Sequence, residues 1–208
     1  MVKKKLIVLT LSGAIFLMGS GSAFADNTVN TPIPTDTMPI SAPINDEDAT
    51  KPIESKFSDI QNHWAFKEIV LLENRGIWGD LSGEFQPKQI VTGADFAAYL
   101  DKIFEFETEP DFAFKHNSEV SRMEAAKAIE KSFAAKNISV FMTLIFPVYD
   151  DTTNLGPEET SALSFVFNTG IMKGKSKSKF LPDDSITKGE LAVILQRTLT
   201  TIENAVSK

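Results

Sequence analysis

The sequence predicts a mainly α-helical protein built from helix-loop-helix repeats. Two observations lead to this prediction. A motif occurs three times after residue 56, and apolar residues lie three and four positions apart within each copy. A third observation confines the repeats to the later part of the chain, because residues 26–56 contain five of the ten prolines and no aromatic residue.

The first 25 residues have the three parts of an export signal. Residues 3–5 are lysines, residues 6–18 are mostly apolar, and residues 23–25 read Ala-Phe-Ala, which signal peptidase accepts. A membrane anchor is the competing interpretation, but a spanning helix needs about 20 apolar residues. We therefore predict a signal peptide at residues 1–25. Its removal takes away three lysines and no acidic residue, which changes the formal charge from −7 to −10.

Residues 26–56 are predicted to form a disordered spacer rich in proline and threonine. Such a segment cannot bury enough apolar surface to offset the entropy lost on ordering, and its prolines favour an extended linker. The composition changes at Phe57, so we place the start of the folded domain there and assign it residues 57–208.

Three recurrences divide this domain into two full units, about 57–104 and 148–200, and a partial unit, about 112–136. In each of them a phenylalanine precedes a threonine or serine by seven residues, at Phe85 and Thr92, Phe114 and Ser121, and Phe180 and Thr187. In the first unit, Ala65, Ile69 and Leu72 mark one face of a helix, and Gly76 is suited to a left-handed C-cap. Phe85 is the predicted core anchor of the connecting loop. The second helices are predicted to bury apolar residues in every unit: Phe96, Leu100, Ile103 and Phe104; Ala125, Ala128, Ile129 and Phe133; and Leu191, Ile194, Leu195 and Leu199.

The middle unit lacks a first helix, and it is followed by an apolar run, residues 138–146, that the repeat does not explain. We predict that this run packs over the surface that the missing helix would have covered. The alternative is that the run extends the preceding helix.

Each second helix is predicted to begin with a Thr/Ser-x-x-Asp/Glu capping box, in which hydroxyl and carboxylate satisfy each other's backbone amides. Capping does not explain the residue type at the position that follows the N-cap. Arg122 and Lys188 lie at the first helical residue, where a cation faces the positive end of the helix dipole. A cation beside outward-facing amides indicates an anion site, and Gly189 is expected to let a ligand approach the backbone. Gly93 takes this position in the first unit, so a cation is missing there.

The pattern resembles the S-layer homology domain, whose repeats contain Gly-Ile-x-x-Gly and Phe-x-Pro elements and end in a Thr-Arg-Ala-Glu-type tetrad. The resemblance covers about residues 57–200 and implies a pseudo-threefold helical assembly. It also implies that grooves between repeats bind a secondary cell wall polysaccharide, often through a pyruvylated N-acetylmannosamine, and so hold surface proteins on the peptidoglycan. Arg122 and Lys188 match the family's basic position, and Asp59 and Trp64 match its opening positions, whereas either Asp150 or Asp151 is the acidic match in the last unit. With one cation missing, we expect at most two competent grooves.

Other functions are disfavoured by composition and by motifs. The absence of cysteine excludes disulfide scaffolds and thiol nucleophiles, and the acidic chain makes nucleic acid a poor partner. No helix after residue 57 combines a basic with a broad apolar face, which argues against membrane binding once the signal is removed. Neither His63 nor His116 is joined by a motif to a nucleophile or to metal ligands, so we expect no enzymatic activity, no cofactor and no metal. Two interpretations remain open. The first is attachment to the wall polysaccharide of a Gram-positive-type bacterium, and the second is a degenerate repeat module that contacts other surface proteins without binding sugar.

Overall fold

The structure is a computed structural model that describes residues 54–112, 114–143 and 145–206. The predicted signal peptide and all but the end of the predicted spacer lie outside the described residues. Within the described part, Phe57 is fully buried, and the amide of Lys56 already donates to the carboxylate of Glu73 over 2.9 Å.

Five helices make up the described domain, which is mainly α, as predicted. They are α1 (Phe66–Asn74), α2 (Gly93–Phe104), α3 (Arg122–Ala135), α4 (Pro157–Asn168) and α5 (Lys188–Val206). Only isolated β-bridges accompany them in the described residues. None of these helices combines the length and apolar character that crossing a membrane requires.

The first unit follows the predicted pattern closely. Helix α1 buries Ile69 and Leu72, and Gly76 follows it with a φ of +71°, the left-handed conformation that a glycine adopts without strain. Trp78 then packs edge-on against Phe85, with ring centres 4.8 Å apart. Its indole N–H donates to the carbonyl of Ile69 over 2.8 Å, so that the loop and the helix form one core.

The helices pair across the units. Helix α4, the first helix of the last unit, packs most extensively on α3 of the middle unit, and α1 packs on α5. Each first helix thus covers the second helix of another unit, which distributes one hydrophobic core over the whole described domain.

Three buried residues that precede the second helices form a closed ring of backbone hydrogen bonds. Val91 donates to the carbonyl of Ile186 over 3.0 Å, Ile186 donates to Val120 over 2.9 Å, and Val120 donates to Val91 over 3.1 Å. Because all three side chains are almost fully buried, the three units meet at this ring and the starts of α2, α3 and α5 are held beside one another.

The middle unit lacks a first helix, as predicted, since no described residue between α2 and α3 is helical. Aromatic side chains pack at this position instead. Phe104 stacks on Phe106 at 5.5 Å between ring centres, Phe112 stacks on Phe114 at 5.3 Å, and Phe114 also contacts Phe96 at 5.8 Å. These contacts supply apolar cover for α2 from an irregular segment.

Both predictions for the apolar run, residues 138–146, are wrong. Helix α3 ends at Ala135, so the run does not extend it. The run does not cover the place of the missing helix either, because Phe141 and Phe146 are 88% and 66% exposed and Ile145 bonds to Asn168 at the end of α4. The reason is that α2 is already packed against the aromatic residues between α2 and α3. Among the described residues of the run, only Ile138 and Val140, at its start, pack in part against the core.

Candidate functional site

A groove of about 230 Å³ lies where three parts of the chain converge. Trp64 contributes from just before α1, Arg122 from the first residue of α3, and the remaining side chains from the loop after α4 and from α5. The lining residues are Trp64, Arg122, Ile171, Met172, Lys173, Gly174, Lys175, Glu190, Val193, Ile194 and Arg197. Two residues singled out from the sequence, Arg122 and Trp64, are therefore brought together although they are far apart in the chain.

Arg122 is the buried cation of this groove, with only 5% of its surface exposed. Its guanidinium lies 4.8 Å from the centre of the Phe180 ring. Nε donates to the carbonyl of Phe180 over 2.8 Å, and Nη2 donates to the carbonyl of Lys173 over 2.7 Å. Burial lowers the pKa of Arg122, an effect that Glu190 opposes most strongly. An arginine stays charged under such conditions, so the groove contains a fixed positive charge.

Part of the donor capacity of Arg122 is unused. A guanidinium has five N–H groups, and the two bonds above are the ones it makes to other described residues. Nη1 is 3.9 Å from the carboxylate of Glu190, beyond hydrogen-bond distance. The remaining N–H groups are available to an acceptor in the groove.

Trp64 is oriented outward, with 65% of its surface exposed. Its indole lies beside the ring of His63 at 5.3 Å, and Nδ1 of His63 accepts the amide of Ala65 over 3.2 Å. This bond holds the turn that presents Trp64 to the groove. Trp78, the other aromatic candidate, is buried in the core.

The groove is lined by four basic side chains and one acidic side chain. Lys173, Lys175 and Arg197 join Arg122, and Glu190 is the acid. The ammonium of Lys175 forms an ion pair with Glu190. Burial opposes ionisation of Glu190, but the hydrogen bonds from Lys175 and from the amide of Thr187, together with the charges of Lys175 and Arg122, outweigh it. The pKa of Glu190 therefore lies below its usual value. The groove is therefore locally positive within an acidic chain. Lys177 and Lys179, which lie in the loop between α4 and α5 with Lys173 and Lys175, are exposed and are not among the lining residues.

Lys188 lies apart from this groove, at the boundary between the first and last units. Its ammonium is 4.9 Å from the centre of the Phe85 ring, which repeats the contact of Arg122 with Phe180. Burial lowers the pKa of Lys188, and the charges of Asp95 and Asp59 oppose the change. The two predicted cations thus hold corresponding positions at two different boundaries.

The predicted outward-facing amides are absent from both helix starts. The amides of Arg122 and Met123 donate to the carbonyls of Asp184 and Pro182, each over 2.9 Å, and the amides of Lys188 and Gly189 donate to those of Gln89 and Pro87, each over 2.8 Å. The prediction failed because these amides bond to a neighbouring unit, which a linear sequence does not display. In the described structure, a ligand at either cation meets the side chain and not these amides.

Gly189 has a packing role at the start of α5. A Cβ atom at this position would lie 2.7 Å from Cε1 of His63 and 3.2 Å from the carbonyl oxygen of Pro87. A side chain at residue 189 would not fit, because the start of α5 packs closely on His63, just before α1, and on Pro87.

Residues 56–97 and 148–192 match the family model of the S-layer homology domain. These two regions are S-layer homology repeats. The two matched regions correspond to the two full units, and the partial unit lies between them. Domains of this family anchor surface proteins to the cell wall, which associates the chain with the cell surface or wall. No curated protein matches the chain.

Asp59, at the opening of the first S-layer homology repeat, holds a turn and is not among the residues that line the groove. Its carboxylate accepts the amides of Phe85 and Gln86 over 2.8 and 2.7 Å. Asp151 does the same in the last repeat for Phe180 and Leu181, over 3.0 and 2.9 Å. The choice that the sequence left open between Asp150 and Asp151 is thereby decided for Asp151.

The groove also contains a residue that the sequence reading missed. Arg197 is the tenth residue of its helix, and its Nη1 donates to the carbonyl of Ile171 over 3.4 Å. Lys102 and Lys131 occupy the same position in the other repeats and donate to the carbonyls of Ile77 and Asp111. A basic residue at the tenth helical position in all three repeats was a signal that could have identified it.

Proposed function

We propose that this protein attaches non-covalently to the bacterial cell wall by binding an anionic, pyruvylated secondary cell wall polysaccharide in the Arg122 groove. The observation that carries the proposal is the pairing of a buried arginine, with N–H groups still unused, and an exposed tryptophan in one positively charged groove. The family's general role in wall anchoring supports it.

The chemistry of a pyruvyl ketal suits Arg122. The ketal carries a carboxylate, and a planar guanidinium with free N–H groups donates two parallel hydrogen bonds to such a group. The charge of Arg122 is largely withdrawn from water, so its attraction to a carboxylate is screened less than that of an exposed lysine.

Trp64 suits the sugar ring that carries the carboxylate. An exposed indole offers a flat apolar face together with an N–H donor, and sugar rings commonly stack on such faces. The volume of about 230 Å³ is below the range of about 300–1,000 Å³ for drug-sized ligands. It fits one modified sugar unit of a longer polymer.

We further propose that the three units form the pseudo-threefold assembly of the family and that the Arg122 groove is its one complete binding site. The closed ring of hydrogen bonds among Val91, Val120 and Ile186 supports the assembly. At the boundary that contains Lys188, the middle unit has no first helix to supply a tryptophan. At the remaining boundary, at the start of α2, Gly93 stands where the other two units have a cation.

Export by cleavage after Ala25 and the absence of catalytic activity complete the proposal. N-terminal sequencing of the protein released from cells should start at Asp26. If the wall-associated protein still starts at Met1, the predicted cleavage is wrong, but the binding proposal is unaffected.

A sedimentation assay with purified wall tests the binding proposal. We expect the protein to pellet with walls that retain the pyruvylated polysaccharide and to stay in solution after the polysaccharide is removed chemically. Trp64→Ala should reduce binding by about tenfold or more, since stacking on an aromatic ring is removed while the fold keeps its core. Leu71→Ala is the matched control, because Leu71 is also exposed and lies on α1.

Equal pelleting with and without the polysaccharide would overturn the proposal, as would full binding by Trp64→Ala. A protein-interaction module is the second candidate. It is favoured by the exposed apolar side chains that follow α3.

A further inference from the structure

The acidic side chain of the Arg122 groove lies beside the cation that the proposed ligand needs. Oε1 of Glu190 is 3.9 Å from Nη1 of Arg122, and both side chains are largely withdrawn from water. A ligand carboxylate that binds the unused N–H groups of Arg122 therefore comes close to a second carboxylate in a region where charges are poorly screened. Without compensation, Glu190 repels such a ligand.

The fold holds the charge of Glu190 at this place. Its Oε2 accepts the amide of Thr187 over 3.0 Å, in the capping box that begins α5. Because the pKa of Glu190 lies below its usual value, the group is negative at neutral pH. Rotation of the carboxylate away from Arg122 would break the cap, so the site has to balance this charge in another way.

Lys175 supplies the balancing charge. Its ammonium forms an ion pair with Oε1 of Glu190, the same oxygen that lies near Nη1 of Arg122. The side chain of Lys175 comes from the loop between α4 and α5 and is 38% exposed. Since the negative charge of Glu190 is taken up by Lys175, the positive charge of Arg122 is left for a ligand.

We propose that Lys175 determines the preference of this groove for an anionic sugar by neutralising Glu190. This inference rests on the proposed function, because it assigns the charge specificity of the same groove to a further residue. Lys175 is a positioning residue in this role and acts through Glu190. Direct contact between Lys175 and the ligand is the competing role, and the two roles differ in their dependence on the charge of Glu190.

The loop that carries Lys175 also supplies a matched control. Lys177 lies two residues further along, has the same charge and is exposed, but it does not line the groove. Its removal changes the net charge of the protein as much as the removal of Lys175 does. A comparison of the two therefore separates the local effect on Glu190 from a general loss of positive charge.

Sedimentation with walls that retain the pyruvylated polysaccharide, over a range of protein concentrations, tests the inference. Lys175→Met should weaken binding by about tenfold, because Glu190 is then unpaired beside Arg122. Lys175→Met with Glu190→Gln should bind within about twofold of the wild type, since glutamine removes the charge and still accepts the Thr187 amide. Lys177→Met should alter binding by less than about twofold, because its charge is exposed and screened.

Two results of this assay would overturn the inference while the wild type still pellets and the proposed function stands. The first is full binding by Lys175→Met. The second is a double variant that binds as weakly as Lys175→Met alone, which would assign Lys175 to direct contact with the ligand. Far-UV circular dichroism checks that every variant folds.

A second measurement decides the inference if the wild type does not pellet, a result that would refute the proposed function. Pyruvate provides a carboxylate without the sugar, and its binding is followed by the NMR signal of the Arg122 Nε–H group. Half-saturation should need about tenfold more pyruvate in Lys175→Met than in the wild type, and the double variant should restore the wild-type value. An Arg122 signal that pyruvate does not shift in the wild type, or shifts equally in all variants, would overturn the inference.

Discussion

The guanidinium of Arg122 lies over the ring of Phe180, 4.8 Å from its centre. The same contact recurs between Lys188 and Phe85 at 4.9 Å, but the two cations differ in their further bonds. Arg122 also donates to two backbone carbonyls, whereas the ammonium of Lys188 makes no hydrogen bond to the described residues. The cation at the first position of the second helix therefore contributes more to stability in the middle unit, as Arg122, than in the last unit, as Lys188.

Arg122→Met should destabilise the fold far more than Lys188→Met. The first change leaves the carbonyls of Phe180 and Lys173 without their donors, which should lower the free energy of unfolding by about 2–4 kcal/mol. The second change removes a half-exposed charge and should cost less than about 1 kcal/mol. Urea unfolding monitored by tryptophan fluorescence measures both. Equal costs would contradict the structural role assigned to Arg122.

Gly93→Ala should be costly because the start of α2 leaves no room for a side chain. A Cβ atom there would lie 2.3 Å from the carbonyl oxygen of Lys115 and 2.8 Å from the ring of Phe114. We expect a loss of about 1–3 kcal/mol from this overpacking. Gly156→Ala is the control, since the nearest atom to its Cβ would be 3.8 Å away. Thermal unfolding of the two variants should place Gly93→Ala clearly lower in Tm.

The stability of the fold should decrease as the pH falls below about 6.5, through His63. Burial, aided by the charge of Lys88 and opposed by that of Asp59, holds the pKa of His63 below its usual 6.5. The unfolded chain therefore takes up a proton first, and stability falls from pH 6.5 down to the lower pKa of the folded state. Urea unfolding at pH 7.5 and at pH 5.5 measures the difference.

His63→Asn is the control for this pH dependence. An asparagine can still accept the amide of Ala65 with its side-chain oxygen, but it does not titrate. The variant should lose less stability than the wild type over the same pH interval. If the variant loses as much stability as the wild type between pH 7.5 and pH 5.5, the pH dependence arises from groups other than His63.

Asp59 and Asp151 should contribute stability that disappears in acid. Burial raises the pKa of each carboxyl, but the backbone amides that donate to it and the charge of a nearby lysine together outweigh burial, so both pKa values lie below the usual 3.8. Their contribution is complete above that value and is lost as the pH falls through the lower folded-state pKa. The double variant Asp59→Asn/Asp151→Asn should lose less stability than the wild type as the pH falls from 5 to 2. Unfolding followed by circular dichroism at several pH values in this interval measures the difference.

The helices could be predicted because their signals are local. Capping boxes at Ser121 and Thr187 form as expected, with the carboxylates of Glu124 and Glu190 accepting the N-cap amides over 2.8 and 3.0 Å. At Thr92 the shorter Asp95 accepts the threonine hydroxyl instead, over 2.8 Å. Turn and cap chemistry involves residues a few positions apart, so it can be recognised in a linear sequence.

The groove could be predicted only in part. Arg122 and Trp64 were identified by their match to a repeat motif, but nothing in the linear spacing indicated that they line the same groove. The packing role of Gly189 could not be predicted for a related reason, because the atoms that exclude a side chain there belong to His63 and Pro87, more than 100 residues earlier in the chain.

The order of helices, their caps and the repeat were determined by the sequence alone, because each depends on neighbours within about one turn or one loop. Only the tertiary structure decided which amides remain free, which cation is buried and where the segment after α3 lies. These depend on contacts between units, since a hydrogen bond or a buried charge takes its energy from whatever part of the chain folding brings against it.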